Sequence, residues 1–191
     1  MQACTLTASN IACRRGDRLL FAGVDFTLAG GEALHLAGPN GIGKSSLMRI
    51  IAGLLRPLEG EVTRDGAAAL LDDRPALDEY RTLGEALDFW AKVDGSRPDA
   101  ATFGLEELMD VPVRFLSTGQ RKRGALARMA GQQAPIWLLD EPLNGLDKDA
   151  VGIVETLVAD HCKAGGIAVI ASHQPFALES MTRLELPEFA A

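Results

Sequence analysis

Eight residues early in the chain, Gly38-Pro39-Asn40-Gly41-Ile42-Gly43-Lys44-Ser45, restrict what this sequence can fold into. They satisfy the spacing G-x-x-x-x-G-K-[ST] at each fixed position. Ahead of them, Ala33-Leu34-His35-Leu36-Ala37 is short and mostly apolar, as a buried strand is. Behind them, Leu47, Met48, Ile50 and Ile51 recur at helical spacing until Gly53 stops the pattern. Strand, glycine turn and helix in that order make a phosphate-binding loop. The glycines let several backbone N–H groups converge on one anion, and the helix adds its positive end. Lys44 is expected to reach the outer phosphates of ATP and the Ser45 hydroxyl to hold Mg²⁺, with Ser46 completing the ATP-binding run from Gly38. The bland alternative, a glycine-rich turn that only joins strand to helix, does not account for the lysine and hydroxyl together.

The rest of the chain must supply a fold around that loop. A chain of 191 residues with 47% hydrophobic residues suits one domain with a sizeable core. A net charge of −7 argues against nucleic acid or an anionic membrane surface as the main partner. Three cysteines, Cys4, Cys13 and Cys162, show no C-x-x-C spacing and read as free thiols. Met1 to Thr7 has neither a basic region nor a long apolar run, so no signal peptide is expected. No stretch approaches the ~20 apolar residues that cross a bilayer, so work at a membrane requires another chain.

In order, Leu6–Cys13, Leu19–Phe21 and Val24–Leu28 read as short strands of an antiparallel β lobe. Residues 59–63 and 67–71, parted by Asp65-Gly66, read as a hairpin. From residue 72 charge replaces apolar runs. Thr82-Leu83-Gly84-Glu85 has capping-box spacing and opens a helix to about Val93, and 100–109 suits a second, short helix. Residues 72–116 therefore form a small helical insert. A helix from Ser117 to about Gln132, again with capping-box spacing to Gln120, extends the helical subdomain to 72–132, leaving a core of 1–71 and 133–191. Ile136-Trp137-Leu138-Leu139 is a continuous apolar run, as in a parallel strand buried on both faces. A helix capped by Asp147 and a strand at Ile167–Ala171 follow. The expected class is α/β: a mixed or parallel sheet with covering helices, an N-terminal antiparallel lobe and a small helical subdomain.

The apolar run at 136–139 ends in Asp140-Glu141, where α/β sheets bind ligands. Asp140 there can serve a Mg²⁺ ion opposite Ser45, and Glu141 can polarise a water for attack on the γ-phosphate. His173 ends the next apolar strand and is able to contact the γ-phosphate, although a lone histidine is more often structural. His35 and His161 belong to no set with metal-ligand spacing. Ser117-Thr118-Gly119-Gln120 forms a second anion-binding helix start. One triphosphate rarely needs two such sites on one chain, which is explained if the second serves a nucleotide held by another copy.

The ordered set Gly38–Ser45, Leu116–Gln120, Ile136–Glu141, Asn144–Asp147 and His173 resembles the ATPase subunits of ABC transporters over nearly the whole chain. The resemblance makes these the Walker A loop, the signature motif, Walker B, the D-loop and the switch histidine. It implies a head-to-tail ATP-sandwich dimer in which Ser117, Thr118, Gly119 and Gln120 contact the nucleotide of a second copy. It also implies Lys44, Glu141 and His173 as catalytic residues, Ser45 and Asp140 as Mg²⁺ ligands, and Asp147 in the dimer seam. Three residues depart from the family pattern. Thr118 stands where glycine is usual in LSGGQ. Arg15, beside Arg14, stands where an aromatic residue stacks on adenine, though a guanidinium plane can also stack. Arg74, in Asp72-Asp73-Arg74-Pro75, stands where a glutamine touches Mg²⁺, and an arginine cannot ligate a cation.

Within the family, residues 13–21, the run DEPLNGLD at 140–147, Gly165-Gly166 and Ser172-His173-Gln174 are similar to the cytochrome c biogenesis ATP-binding export proteins. That likeness implies an integral membrane partner of the CcmB type, a peripheral position on the cytoplasmic face of the bacterial inner membrane, and haem handling as the work done. Two other readings stay open at this point: an ATPase serving another exporter, and a nucleotide-gated dimerisation module with little turnover.

Overall fold

The computed structural model describes residues 4–178 and 181–190; the first three residues of the Met1–Thr7 stretch lie outside them. Two sheets carry the fold. The smaller is antiparallel, in the order β2-β1-β4, with β1 Thr5–Arg15, β2 Arg18–Ala29 and β4 Glu59–Asp65. The larger has five strands in the order β5-β6-β7-β3-β8, from β3 Ala33–Ala37, β5 Ala68–Leu71, β6 Ile136–Asp140, β7 Ile167–Ala171 and β8 Met181–Glu185. All four pairings in the larger sheet are parallel. Four α-helices cover it: α1 Lys44–Ile51, α2 Leu83–Asp94, α3 Thr118–Gly131 and α4 Lys148–Lys163.

The three central strands, β3, β6 and β7, are buried on both faces, which explains their unbroken apolar runs. Side chains alternate across a strand. Ile136 and Leu138 of β6, with Ile167 and Val169 of β7 and Leu34 and Leu36 of β3, join Leu47, Met48 and Ile51 of α1 and the inner face of the antiparallel sheet. Trp137 and Leu139, with Ala168 and Ile170, face the opposite way onto Leu126 of α3, Val154 and Val158 of α4, and Leu83 and Leu87 of α2. Truncating one such fully buried leucine to alanine costs about 2–5 kcal/mol. The loop before α1 is thus mounted on a strand held rigidly from both sides.

Both capping boxes form. The Thr82 hydroxyl accepts from the Glu85 amide while the Glu85 carboxylate accepts from the Thr82 amide, and Ser117 and Gln120 do the same at α3. Asp147 caps α4 by accepting from the Ala150 amide at 2.8 Å.

Three expectations change. Leu19–Phe21 and Val24–Leu28 lie on one strand, β2, because Ala22-Gly23 is absorbed as an irregularity in the β1–β2 pairing rather than ending the strand. Residues 59–71 are not a hairpin. The polar, exposed β4 pairs with the edge of β1, whereas the apolar β5 pairs in parallel with β6, so the chain changes sheets at Gly66. The sequence 100–109 makes turns and one 3₁₀ turn at Glu106–Leu108, not an α-helix, since Phe103 and Leu105 turn inward to fill the core. Strand β8 was not anticipated; MTRLE lacks the apolar run that marks its neighbours.

The three cysteines are free and buried. His35 and His161 are also buried; each ring lies within 3.2 Å of a backbone carbonyl, Ser172 and Ile167 respectively, to which its N–H donates. Among the described residues no cluster of His, Cys, Asp and Glu suits a metal, and no helix is long and apolar enough to cross a membrane.

Candidate active site

The phosphate loop curls as its glycines require. Gly43 sits at φ 119° directly before α1, and a Cβ there would lie 2.8 Å from the Phe21 ring. Any side chain at that position would collide with β2 and strain the backbone at once. Lys44 is buried, and its Nζ donates to the carbonyls of Gly38 at 2.7 Å and Pro39 at 3.3 Å. The ammonium therefore braces the loop around itself. Pro39, Asn40, Gly41 and the Ser45 side are exposed, Ile42 and Ser46 partly so.

The ends of β6 and β7 bring the acidic and imidazole groups to the same place. The Lys44 ammonium is 3.8 Å from Glu141 Oε1, and His173 Nδ1 is 2.8 Å from Glu141 Oε2. An imidazole N–H at that distance donates to the carboxylate. Glu141 adopts φ 48°, in the left-handed region, with its amide donating to the Ala171 carbonyl at 2.7 Å. Asp140 is only 6% exposed, and its Oδ1 has no hydrogen-bond partner among the described residues. Burial raises the Asp140 carboxyl above the usual carboxylate range, while a hydrogen bond from the Ser45 hydroxyl opposes this. A buried carboxylate oxygen without a donor, beside a serine hydroxyl, is a donor set that fits a hard divalent cation such as Mg²⁺. Ser45, Asp140 and Glu141 line a cavity of about 760 Å³ together with Thr118, Lys122, Asn144 and Gly145.

The adenine end is less built. Arg15 is exposed at the tip of the β1–β2 hairpin. Burial pushes the Cys13 thiol up, opposed by a hydrogen bond with Ser46 and by the nearby Arg15 charge, so hairpin tip and loop meet at Cys13. Arg74 lines the 760 Å³ cavity as well. Its amide donates to Asp72 Oδ1 at 2.9 Å, and Arg49 of α1 lies 3.3 Å from Asp72 and 3.5 Å from Asp73. The segment carrying Arg74 is thereby tied to the helix that follows the phosphate loop.

Of the four signature residues, Thr118 alone lines that cavity. Ser117, Gly119 and Gln120 do not line the cavity; Ser117 is exposed and open to a ligand from outside the chain. A Cβ on Gly119 would lie 2.5 Å from the Gly145 carbonyl oxygen, so the start of α3 and the turn before Asp147 touch backbone to backbone. Gly145 falls within the Asn144–Asp147 run that the sequence marks, whereas sequence reading missed Lys122, whose neighbours Arg121 and Arg123 give no sign that it is buried.

A phosphate loop after β3, an acidic pair at the end of β6, two strands away, and a capped helix start at Ser117 are the parts of an ABC-type ATPase, and residues 21–144 match the model of the ABC transporter family. The chain is 57% identical over 189 residues to the cytochrome c biogenesis ATP-binding export protein CcmA of Novosphingobium aromaticivorans, covering 99% of both chains. It is 48% identical to the CcmA of Sphingopyxis alaskensis, covering 94% of this chain and 95% of that one. Among solved structures it is similar to a Pyrococcus furiosus chain assigned as an ABC transporter ATP-binding protein, with a TM-score of 0.82, 22% identity, and coverage of 98% and 100%. The chain belongs to the CcmA family of ABC transporter ATP-binding proteins.

Proposed function

We propose that this chain hydrolyses ATP to power an integral membrane partner that handles haem for c-type cytochromes. The observation that carries the reading is the Glu141 carboxylate, set between Lys44 and His173 beside the unpartnered Asp140 oxygen. The Walker A run Gly38–Ser46 wraps the phosphates with backbone N–H groups, and Lys44 exchanges its loop carbonyls for the outer phosphates. Ser45 and Asp140 hold Mg²⁺, which when bound neutralises phosphate charge. Glu141 accepts the proton of the attacking water, and His173 keeps the carboxylate in place by donating from Nδ1. Arg15 stacks on the adenine face.

Only half of the phosphate shell comes from one chain in this reading. The other half is Ser117, Thr118, Gly119 and Gln120 of a second copy in an ATP-sandwich dimer, with Asp147 in the seam. Ser117 accepts from Gln120 in its own cap and keeps its O–H to donate outward. The CcmA relatives support a peripheral position on the inner face of the bacterial inner membrane and a CcmB-type membrane partner. The core at 1–71 and 133–191 and the helical subdomain at 72–132 are the parts that move against one another in this scheme.

The test is phosphate release from ATP by the purified full chain, with and without Mg²⁺. Mg²⁺-dependent turnover well above that of a Glu141→Gln chain is expected; turnover equal to that variant would favour the nucleotide-gated dimerisation module instead. A second measurement addresses the family departure at Arg74. Arg74→Gln exchanges a fixed cation in the cavity wall for a neutral oxygen donor, and turnover is expected to change by roughly three- to tenfold, as for one electrostatic contact. An unchanged rate and unchanged Mg²⁺ dependence would show that Arg74 takes no part.

A further inference from the structure

Lys122 lies in the second turn of α3 and is 8% exposed, although its neighbours in sequence are arginines. Burial lowers its pKa, and the charges of Glu141, Asp140 and Asp73 oppose that effect. A buried ammonium is costly unless it is paired or donates a hydrogen bond. Here the Nζ donates to the backbone carbonyl of Glu141 at 2.5 Å. None of the steps given above uses it.

The bond falls where the backbone needs support. Glu141 occupies the left-handed region, which a residue bearing a side chain rarely adopts. Its amide is anchored to β7 through the Ala171 carbonyl at 2.7 Å. Its carbonyl accepts from Lys122 and, at 3.4 Å, from the Asn144 amide. With both peptide groups fixed, the direction of the Cα–Cβ bond is set, and from there the carboxylate meets His173 and Lys44. Without Lys122 the carbonyl end keeps only the longer bond.

We propose that Lys122 is a positioning residue: from the signature helix it holds Glu141 in its left-handed conformation, so the aim of the carboxylate depends on where α3 lies. This rests on the reading of Glu141 as the base. The same helix presents Ser117–Gln120 at its start, and the close approach of Gly119 to the Gly145 carbonyl ties it to the segment after Glu141. A shift of α3 then reaches the base through one hydrogen bond.

The test uses the full chain and separates kcat from KM. Lys122→Met keeps the length and removes the donor; it is expected to lower kcat about tenfold while KM for ATP stays within about twofold, as for a misaimed base. Lys122→Arg restores a cationic donor and is expected to recover at least about half of the wild-type kcat. In a Glu141→Gln background, Lys122→Met is expected to lower the residual rate by less than about twofold, because the group it aims has gone. The inference is overturned by an unchanged kcat in Lys122→Met, by a full tenfold loss in both backgrounds, or by Lys122→Arg as impaired as Lys122→Met. If Lys122→Met does not fold, Lys122→Leu, which also lacks a donor, is read by the same criteria. A normal Lys122→Met beside an inactive Glu141→Gln sinks this inference alone; an active Glu141→Gln sinks the assignment of the base with it.

Discussion

Glu141→Gln is expected to bind ATP within about twofold of wild type and to lose turnover by roughly a hundredfold or more, the usual worth of a positioned general base. The amide keeps the shape of the side chain and can still accept from His173 Nδ1, now 2.8 Å from the carboxylate. It cannot take a proton. Lys44, 3.8 Å from Glu141 Oε1, loses a counter-charge but keeps its two carbonyl partners, so the phosphate loop stays formed. Binding by titration calorimetry and phosphate release in a coupled assay separate the two effects. Because ATP joins two copies in the proposed scheme, the variant is also expected to elute as a dimer in Mg-ATP. Wild-type turnover in this variant would mean that the base is elsewhere.

Lys44→Ala is expected to fail differently. It removes the cation proposed to meet the outer phosphates, and turnover is expected to fall roughly hundred- to thousandfold, with ATP affinity reduced as well. It also leaves the inward carbonyls of Gly38 and Pro39 without their donor, at a cost of about 1–3 kcal/mol. The melting temperature of the nucleotide-free chain is therefore expected to drop, whereas that of Glu141→Gln is not. ATP binding retained at wild-type strength in Lys44→Ala would overturn the role given to the lysine.

The two variants concern residues that the sequence pattern itself marks, and the reason is chemical. A phosphate loop needs particular residue types at fixed spacing, and caps such as Thr82–Glu85 and Ser117–Gln120 close within four residues. Local signals of that kind survive in a sequence. Sheet membership does not. Asp65-Gly66 between two extended segments describes a hairpin as well as a crossing, and only pairing with β1 and β6, far away in the chain, decides it. The same holds for Lys122. Its basic neighbours describe a wet helix face, and its burial follows from α3 lying against the end of β6. Strand β8 was hidden because an edge strand beside β3 needs few apolar residues, and only Leu184 is buried.

The strand order has a consequence for how the chain is made. Strand β3, which carries the phosphate loop, pairs with no strand that precedes it or soon follows it; its partners are β7, from Ala168 on, and β8, from Met181 on. During synthesis the loop leaves the ribosome on a strand with two open edges, and some 130 residues must be added before either edge closes. Contacts of such long range are slow to form and leave strand edges exposed while they wait. The nucleotide cradle, made early in the sequence, is among the last parts of the molecule to become stable, because its strand waits for β7 and β8 to come into register.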